Sequence, residues 1–281
     1  MRAVRLVCGN ESRVLAFLNR RPLKNIIPVS SIGRYGLESP RHRGAFYGCF
    51  EEGGLIGVSL IGHCVMPEGG EECMAAFAEA AHRFHRDEVR QVLGEEVEVE
   101  SFSRAFTQLS PGQVVLQRES YFQLALRRLT EGGETRTDLR AATADDQEEV
   151  TRVHAQAYQE MVGEELPPQD WPGFRQRVIE RIEGGRVWIV RHNSGIGFKA
   201  DVVSATDRAI YLEGIWTRPD LRSKGYGTQA LRTLCQQLLQ RHPAVCLCVR
   251  DDDPRALSFY QRIGFEAQGT YRLIRYGMTA S

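Results

Sequence analysis

The sequence predicts a mixed α/β protein of the α+β class, in which twisted sheets are flanked by helices. Short runs rich in β-branched and aromatic residues, such as 209–217, alternate with longer runs of helical periodicity, such as 230–239. A glycine-containing segment at 222–228 joins one run of each kind. The chain has 281 residues, more than one hydrophobic core usually holds, so two domains are expected.

The C-terminal half, from about residue 135, contains strands and helices in a definite order. Thr143, followed by Asp145 and Asp146, is expected to cap a helix whose first turn is acidic. The sequence Asn-Ser-Gly at 193–195 favours a turn between two strands. The predicted elements are a strand at 137–142, a helix running towards Val162, a helix from about Pro172 to Ile182, and a hairpin of strands at 187–191 and 196–204.

The segment 222–228, Arg-Ser-Lys-Gly-Tyr-Gly-Thr, lies where the next strand passes into a helix. Glycine permits positive φ and removes side-chain bulk, so consecutive N–H groups can converge on an anion such as a diphosphate. The helix dipole contributes only about 0.3–1 kcal/mol. Binding must therefore come mainly from the N–H groups, with Arg222 and Lys224 adding attraction. The spacing fits neither a Walker loop nor a dinucleotide-binding turn, and a purely structural turn is the alternative.

A second segment, 245–265, is typical of a buried strand followed by a helix. Asp253 is expected to cap this helix, with Pro254 at its first position and Gly264 at its end. The two patterns, R-x-x-G-x-G at 222–227 and D-x-x-A-x-x-x-Y-x-x-x-G-F at 253–265, together resemble the signature of the GNAT acyl-CoA N-acyltransferases. The family usually has Asn where this chain has Asp253, so an amide donor is missing and a negative charge is added.

The resemblance covers about residues 135–281 and implies an N-acetyltransferase. Such an enzyme transfers the acetyl group of acetyl-CoA directly to a primary amine of a small molecule, a peptide or a protein. It implies that the strand backbone pairs with the pantetheine amides, that the turn holds the diphosphate and that Ala256 packs against the arm. The cofactor-binding residues implied in this way are Ile215, Trp216, Thr217, Arg222, Ser223, Lys224, Gly225, Tyr226, Gly227, Thr228, Asp253 and Ala256.

Two residues are candidates for proton transfer. Glu213 shares a strand face with Ile215 and Thr217 by the two-residue period, and the family often places its general base there. An ordinary Glu has a pKa of about 4.3, so partial burial would have to raise it. The alternative is a Glu that pairs with an Arg or faces solvent. Tyr260 is the expected acid for the departing thiolate, and its alternative role is that of a core aromatic residue. A backbone N–H of Ile215 or Trp216 is expected to meet the oxyanion.

Composition agrees with a cytoplasmic enzyme. The chain carries 36 basic and 36 acidic side chains, a formal net charge of +0, which gives no electrostatic argument for a nucleic-acid or anionic-membrane partner. No apolar run has transmembrane length, and the start is too short an apolar run for a signal peptide. Seven cysteines show no C-x-x-C pair or zinc spacing, so no metal is expected. Oligomeric state is not readable, although the resemblance is compatible with a dimer.

Residues 1–134 are expected to form a separate domain, joined to 135–281 by a linker at 130–135. The predicted elements are a capped helix at 10–18, a hairpin of strands 44–50 and 55–63, a helix at 73–84, and a strand near 97–99. This order loosely repeats that of the C-terminal half. At the position of the diphosphate turn, however, Pro-Glu-Gly-Gly at 67–70 carries acid rather than base. We therefore expect a degenerate GNAT-like domain that no longer binds the cofactor. The whole chain resembles two-part bacterial GNAT proteins with an uncharacterised N-terminal domain.

Other functions remain open at this stage. The protein could be a regulatory module that binds acetyl-CoA or CoA without turnover, or a tandem acyltransferase of the mycothiol-synthase type. The acidic segment 159–171 lies where related enzymes shape the acceptor pocket, and it could attract a cationic amine or simply be a solvated loop. The identity of the acceptor is not determined by these residues.

Overall fold

A computed structural model describes residues 1–130, 138–162, 165, 170–193 and 195–278. The predicted mixed α/β class is confirmed. The strands are β1 (Ala3–Arg5), β2 (Gly44–Glu51), β3 (Gly54–Gly62), β4 (Cys64–Gly69), β5 (Gln91–Glu95), β6 (Gln113–Leu126), β7 (Arg140–Ala141), β8 (Val187–His192), β9 (Gly195–Ala205), β10 (Ile210–Thr217), β11 (Val245–Arg250) and β12 (Glu266–Met278). The helices are α1 (Glu11–Leu18), α2 (Ile26–Tyr35), α3 (Glu71–His85), α4 (Glu96–Leu109), α5 (Gln147–Val162), α6 (Trp171–Glu183), α7 (Tyr226–Leu239) and α8 (Pro254–Ile263).

The chain divides into two compact units, and neither is a single continuous segment. The first unit contains Met1–Leu124, Cys248–Leu257 and the C-terminal strand from Ala267 onwards, and the second contains Ala125–Leu247 and Ser258–Glu266. The first unit thus includes a strand from the C-terminal end of the sequence. The expected boundary at 134 lies outside the described residues and stays a prediction, as does most of the expected linker.

The first unit contains a mixed sheet whose two faces are covered by different helices. Its strand order is β1-β2-β3-β4-β5-β12-β6. Strands β4 and β5 are parallel, whereas β12 pairs with β5 in the antiparallel sense. Successive residues of β2 face opposite sides, as the two-residue period requires. Accordingly Tyr47 packs with α3 and α4, and Phe46 packs with α1 and α2.

Two predictions for this unit were wrong. The region expected to form a strand near 97–99 begins helix α4, and the strand lies just before it, as β5. Val99, Phe102 and Phe106 are all buried at helical spacing, whereas Val97 is 79% exposed. The helical period therefore prevailed over the local β-propensity of two valines. In addition, Asn10 precedes α1 but its side chain accepts from the Val7 N–H and does not cap the helix.

The second unit has the strand order β11-β10-β9-β8-β7, in which β10 and β11 are parallel and the other pairs are antiparallel. Helices α5 and α6 pack with buried residues such as Ile189 and Trp216 on one face of this sheet. Helix α7 packs on β9 and β10. The hairpin, both helices, the strand before the glycine turn and the helix after it are present where predicted. The cap predicted at Thr143 is also present, as a capping box with Asp146 at the short 3₁₀ turn that precedes α5.

Candidate functional site

The glycine turn has the backbone geometry expected for anion binding. Ser223 and Gly225 both have positive φ, 59° and 79°, and they flank the exposed Lys224. Helix α7 begins at the next residue, and the Gln229 N–H donates to the Gly225 carbonyl at 3.0 Å. The N–H groups before Gln229, including that of Thr228, have no acceptor within the helix. Successive N–H groups around left-handed residues form a concavity that suits an anion.

The start of α7 is held tightly against the sheet. A Cβ atom at Gly227 would lie 2.4 Å from Thr217 Oγ1, so only glycine allows this approach of helix and strand. The buried Tyr226 donates its hydroxyl to the Arg191 carbonyl at 3.1 Å, and its ring meets that of His192 edge to face. Tyr226 therefore anchors the helix with its side chain, and only its main chain remains for a ligand.

Arg222 is committed to neighbours within the second unit. Its Nε donates to the Thr217 carbonyl at 2.8 Å, and its Nη2 lies 2.6 Å from Glu160 Oε2. Trp216 Nε1 lies 3.5 Å from the other Glu160 oxygen. The sequence predicts that Arg222 attracts the diphosphate, but here its charge is paired with Glu160. Lys224 is therefore the cation of the turn whose charge is presented to solvent.

A β-bulge interrupts β10 directly after Glu213. Glu213 lies opposite Asp201 of β9, but Trp216 lies opposite Lys199, so three steps on β10 match two on β9. Gly214 accommodates the extra residue with φ of 57°. The two-residue period predicted Ile215 and Thr217 on the face of Glu213. That prediction was wrong, because the bulge places Trp216 there instead.

The part of β10 at the bulge is not paired with β11 in the described part of the chain, so its backbone is open to a ligand on that side. Strands β10 and β11 pair in parallel at Ile210–Val245 and Tyr211–Cys246, and among the described residues these pairs do not extend to the bulge. The side chain of Trp216 is buried in the core with Ile182 and Val150. If the segment 215–217 contacts a cofactor, Trp216 can contribute only its main chain.

Glu213 is exposed, yet its carboxyl is closely surrounded by protein groups. Desolvation by these groups raises the pKa of Glu213 above its ordinary value, while the charge of Arg181 opposes the rise and the charge of Asp201 adds to it. A hydrogen bond with Tyr211 and the charge of Lys199 also favour the ionised form. Among the described residues, Glu213 has no ion pair within 4 Å.

A buried charged cluster lies on the sheet face of Glu213, and the sequence reasoning missed it. Lys199 is 0% exposed and donates to Asp201 Oδ1 at 2.8 Å, and Asp201 is 1% exposed. His154 of α5 places Nε2 at 2.7 Å from Asp201 Oδ2 and 3.1 Å from Lys199 Nζ, with Nδ1 at 3.0 Å from the Val150 carbonyl. The available signal was two charged residues spaced by two on one face of an otherwise apolar strand.

Burial and pairing shift the pKa values of Lys199 and Asp201. Burial lowers the pKa of Lys199, against the opposing charge and hydrogen bond of Asp201. Burial alone would raise the pKa of Asp201, but the charge of Lys199 and the hydrogen bond with His154 outweigh it and hold that pKa well below its usual range. A Cβ atom at Gly214 would lie 2.9 Å from Lys199 Nζ, so the cluster lies directly under the bulge.

Helix α8 carries the other predicted site residues. Asp253 Oδ1 accepts the Ala256 N–H at 2.9 Å, which caps the helix that begins at Pro254. Tyr260 is half-buried, with ring centroids of Phe259 and Phe265 at 5.1 and 5.7 Å. These contacts fix the ring and are compatible with either role considered for Tyr260. Asp253 and Ala256 belong to the first compact unit, and Tyr260 belongs to the second.

In the first unit, the corresponding junction of strand and helix is occupied by acids. Glu98 Oε1 accepts the Gly69 N–H at 3.3 Å, just before α3. The carboxylate of Glu72 lies so close to Gly70 that a Cβ atom there would be 2.3 Å from Oε1. Lys24 bonds to Glu98 and holds it at this position. These carboxylates meet the helix N-terminus from within the chain, in keeping with a junction that no longer binds an anionic cofactor.

Metal and membrane sites are not evident in the described ranges. Among those residues, no group of three or more His, Cys, Asp or Glu side chains is arranged to hold a metal ion. Within the same ranges, no helix is both long and apolar enough to cross a bilayer.

Comparison with known proteins identifies one family. Residues 148–265 match the sequence model described as the acetyltransferase (GNAT) family. This stretch contains the bulged strand, the glycine turn, the buried cluster and Tyr260. No curated protein matches the chain.

Solved structures resemble the chain over nearly its whole length, at low sequence identity. An acetyltransferase of the GNAT family from Colwellia psychrerythraea has 12% identity and a TM-score of 0.60, with 99% of this chain and 100% of that chain covered. A tandem GNAT protein from the clavulanic acid biosynthesis pathway has 12% identity and a TM-score of 0.58, with 99% and 98% covered. A protein from Drosophila has 11% identity and a TM-score of 0.68, with 98% of both chains covered. These likenesses establish the fold alone.

The buried pair predicts a characteristic pattern of stability. Replacement of Asp201 by Leu should lower the free energy of unfolding by about 3–5 kcal/mol, because the buried Lys199 loses its carboxylate partner. The double variant Lys199→Met, Asp201→Leu should lose less than Asp201→Leu alone, since it leaves no unpaired charge. Urea denaturation measures both. Asp207→Leu at an exposed position is the control, with a change within about 0.5 kcal/mol. Additive losses in the double variant would contradict the pairing.

Proposed function

Because residues 148–265 match the sequence model of the acetyltransferase (GNAT) family, we propose that the protein is an N-acetyltransferase that moves the acetyl group of acetyl-CoA to a primary amine. The observation that carries the proposal is the glycine turn at the N-terminus of α7, which follows the bulged strand β10 directly. An anion site and an interrupted strand edge stand side by side, as a long cofactor with a diphosphate requires. The amine attacks in a complex that contains both substrates.

The residues present fit acetyl-CoA. Residues 223–225 are exposed, with positive φ at Ser223 and Gly225, and the N–H groups of 223–228 would hold the diphosphate. The missing Cβ of Gly227 lets the helix start approach the strand. Lys224 adds a solvent-exposed positive charge. The backbone of 215–217 would pair with the amides of the pantetheine arm as an added strand does. When bound, acetyl-CoA supplies an activated acetyl thioester, and the protein supplies position, which can contribute several kcal/mol to catalysis.

Glu213 is the proposed general base. Its exposure lets an amine reach it, and desolvation raises its pKa towards the range in which a carboxylate accepts a proton efficiently. The positive charge of Arg181 opposes this rise and favours the ionised carboxylate that a base requires. The backbone N–H of Ile215 or Trp216 would meet the negative charge that develops on the acetyl oxygen.

Tyr260 is the proposed general acid. Its ring is fixed between Phe259 and Phe265, and its half-buried position leaves one side of the residue accessible. A phenol held in this way can donate its proton to a departing sulfur. The acidic junction in the first unit supports a single cofactor site for the chain, in the second half of the sequence.

Cofactor binding should depend on the close approach at Gly227. Gly227→Ala places a methyl group against Thr217 and should weaken CoA binding about tenfold or more, because overpacking typically costs about 1–3 kcal/mol. Isothermal titration calorimetry with CoA gives the affinity. Gly269→Ala, where a Cβ atom meets nothing within 4 Å, is the matched control and should bind normally. Unchanged affinity of Gly227→Ala would contradict the assignment of the turn.

Removal of the phenol should slow turnover without preventing binding. We expect Tyr260→Phe to reduce kcat by about 10²-fold, the lower range for a positioned proton donor, with CoA affinity retained. Free-thiol release from acetyl-CoA across amine, amino-acid and peptide acceptors measures the rate. Tyr35→Phe on α2 serves as control. If wild-type protein binds CoA tightly but releases no thiol with any acceptor, the protein is a binding module.

The acidic limb of the pH profile should belong to Glu213. The base is active when ionised, so kcat/KM should rise with pH through the Glu213 pKa, which lies above the ordinary value of about 4.3. In Glu213→Gln this limb should disappear and kcat should fall, whereas Glu183→Gln at the exposed end of α6 should leave the profile unchanged. Retention of the limb in Glu213→Gln would assign it to another group.

A further inference from the structure

Arg181 is a partly exposed cation held in place by a buried acid. It lies in the last turn of α6, its side chain is 30% exposed, and Nη1 donates to Asp201 Oδ2 at 3.1 Å. A guanidinium carries five N–H donors in a fixed plane. Among the described residues, this bond to Asp201 is the one side-chain hydrogen bond of Arg181. The guanidinium is therefore oriented, and donors remain for a ligand.

Asp201 does not require Arg181 for its own neutralisation. Lys199 donates to one carboxylate oxygen at 2.8 Å, and His154 lies 2.7 Å from the other. The charge of Lys199 already balances that of Asp201. Arg181 therefore contributes a positive charge that the buried pair does not need, on the side of the cluster that solvent reaches.

Glu213 lies close to this cation but does not contact it. Glu213 and Asp201 are opposite each other on β10 and β9, so their side chains share one face with Cβ atoms about 4.5–5.5 Å apart. Arg181 is the strongest positive influence on Glu213, yet the two form no ion pair within 4 Å. A partly exposed cation and an exposed carboxylate thus lie near each other, with their charged atoms more than 4 Å apart.

A zwitterionic acceptor carries one charge opposite to that of Arg181 and one opposite to that of Glu213. Resting on the proposed function of Glu213 as base, we propose that the acceptor is an amine with an adjacent carboxylate, such as a free α-amino acid. Arg181 would bind the carboxylate and Glu213 would receive the amine. Arg suits this role because its planar donors match the two oxygens of a carboxylate. A cationic amine without a carboxylate would leave the remaining donors of Arg181 without an anionic partner.

The transfer balances with the residues named. The acceptor ammonium first loses one proton to solvent. Its nitrogen then forms a bond to the acetyl carbon and passes a second proton to Glu213, while the carbon–sulfur bond breaks. The sulfur leaves with the electron pair and takes a proton from Tyr260. Transfer of the proton from Glu213 to the Tyr260 phenolate through solvent then restores both groups. The products are an N-acetylamino acid and the free thiol of CoA, with one proton released overall.

Matched acceptors test this inference. Alanine, phenylalanine and lysine are each compared with their own carboxamides, which keep the amine and lose the negative charge. We expect kcat/KM for at least one amino acid to exceed that for its amide by about 10- to 100-fold, the range for a charge-assisted hydrogen bond. Equal or better use of every amide would overturn the proposal.

Variants of α6 then locate the effect. Arg181→Gln should abolish the preference for the acid through a rise in KM, Arg181→Lys should restore part of it, and Arg177→Gln on the same helix should behave as wild type. Arg181→Gln should also shift the acidic limb to higher pH for every acceptor, since Glu213 loses a positive neighbour. In this variant Glu213 still has Tyr211 of β10 and Lys199 and Asp201 of β9 as neighbours, and His154 of α5 lies beside Lys199. Rates are therefore compared on the pH plateau.

A binding measurement keeps this test separate from that of the proposed function. Calorimetry of each amino acid and its amide, in the presence of saturating CoA, needs no turnover. Tighter binding of an acid, lost in Arg181→Gln, supports the inference even if no thiol is released, whereas absence of thiol release with all acceptors would contradict the proposed function. Equal affinity of acid and amide for the wild-type protein, or an unchanged difference in Arg181→Gln, would overturn the inference.

Discussion

The candidate site depends on one constraint, the extra residue that β10 inserts above the buried pair Lys199–Asp201. The antiparallel pairing with β9 accommodates this residue at Gly214, which has φ of 57°. Glycine is also needed there because a Cβ atom would lie 2.9 Å from Lys199 Nζ. The bulge ends the regular alternation of side chains after Glu213 and turns Trp216 into the core. Glu213, just before the bulge, is exposed, and pairing with β9 resumes at Trp216 and Thr217 in a shifted register.

Burial of a lysine and an aspartate in the same strand is costly, since each ion loses its hydration. Their mutual contact, together with the hydrogen bonds from His154 and Arg181, offsets that cost. A buried pair of this kind usually adds little net stability. Two apolar residues would fill the same space at no electrostatic cost. The two charged residues nevertheless act on neighbouring groups of the candidate site. They orient Arg181, and they influence the ionisation of Glu213 from below the bulge.

The two halves of the chain use the same junction of strand and helix with opposite electrostatics. At the start of α7, Lys224 is exposed and Ser223 and Gly225 have positive φ, and we propose that an external anion binds there. At the start of α3, Glu98 and Glu72 meet the backbone from within, and Lys24 holds Glu98 there. A helix N-terminus always attracts negative charge, and the local sequence decides whether the chain or a ligand supplies it. One junction is thus closed and the other open.

By itself, the sequence determined the mixed α/β class, the elements of the C-terminal half and the turn at 222–228, because these rest on local periodicity and on glycine chemistry. It predicted a strand at 97–99, because the β-propensity of two valines was given more weight than the helical pattern. It also placed Ile215 and Thr217 on the face of Glu213, because a bulge breaks the two-residue period and β-propensity gives no sign of a bulge. Only the tertiary structure decided that Lys199, Asp201, His154 and Arg181 meet, that Arg222 is paired with Glu160, and that a C-terminal strand belongs to the first unit. Lys199 and Asp201 are close in the sequence, but the other contacts join residues far apart in the chain, which no local pattern encodes.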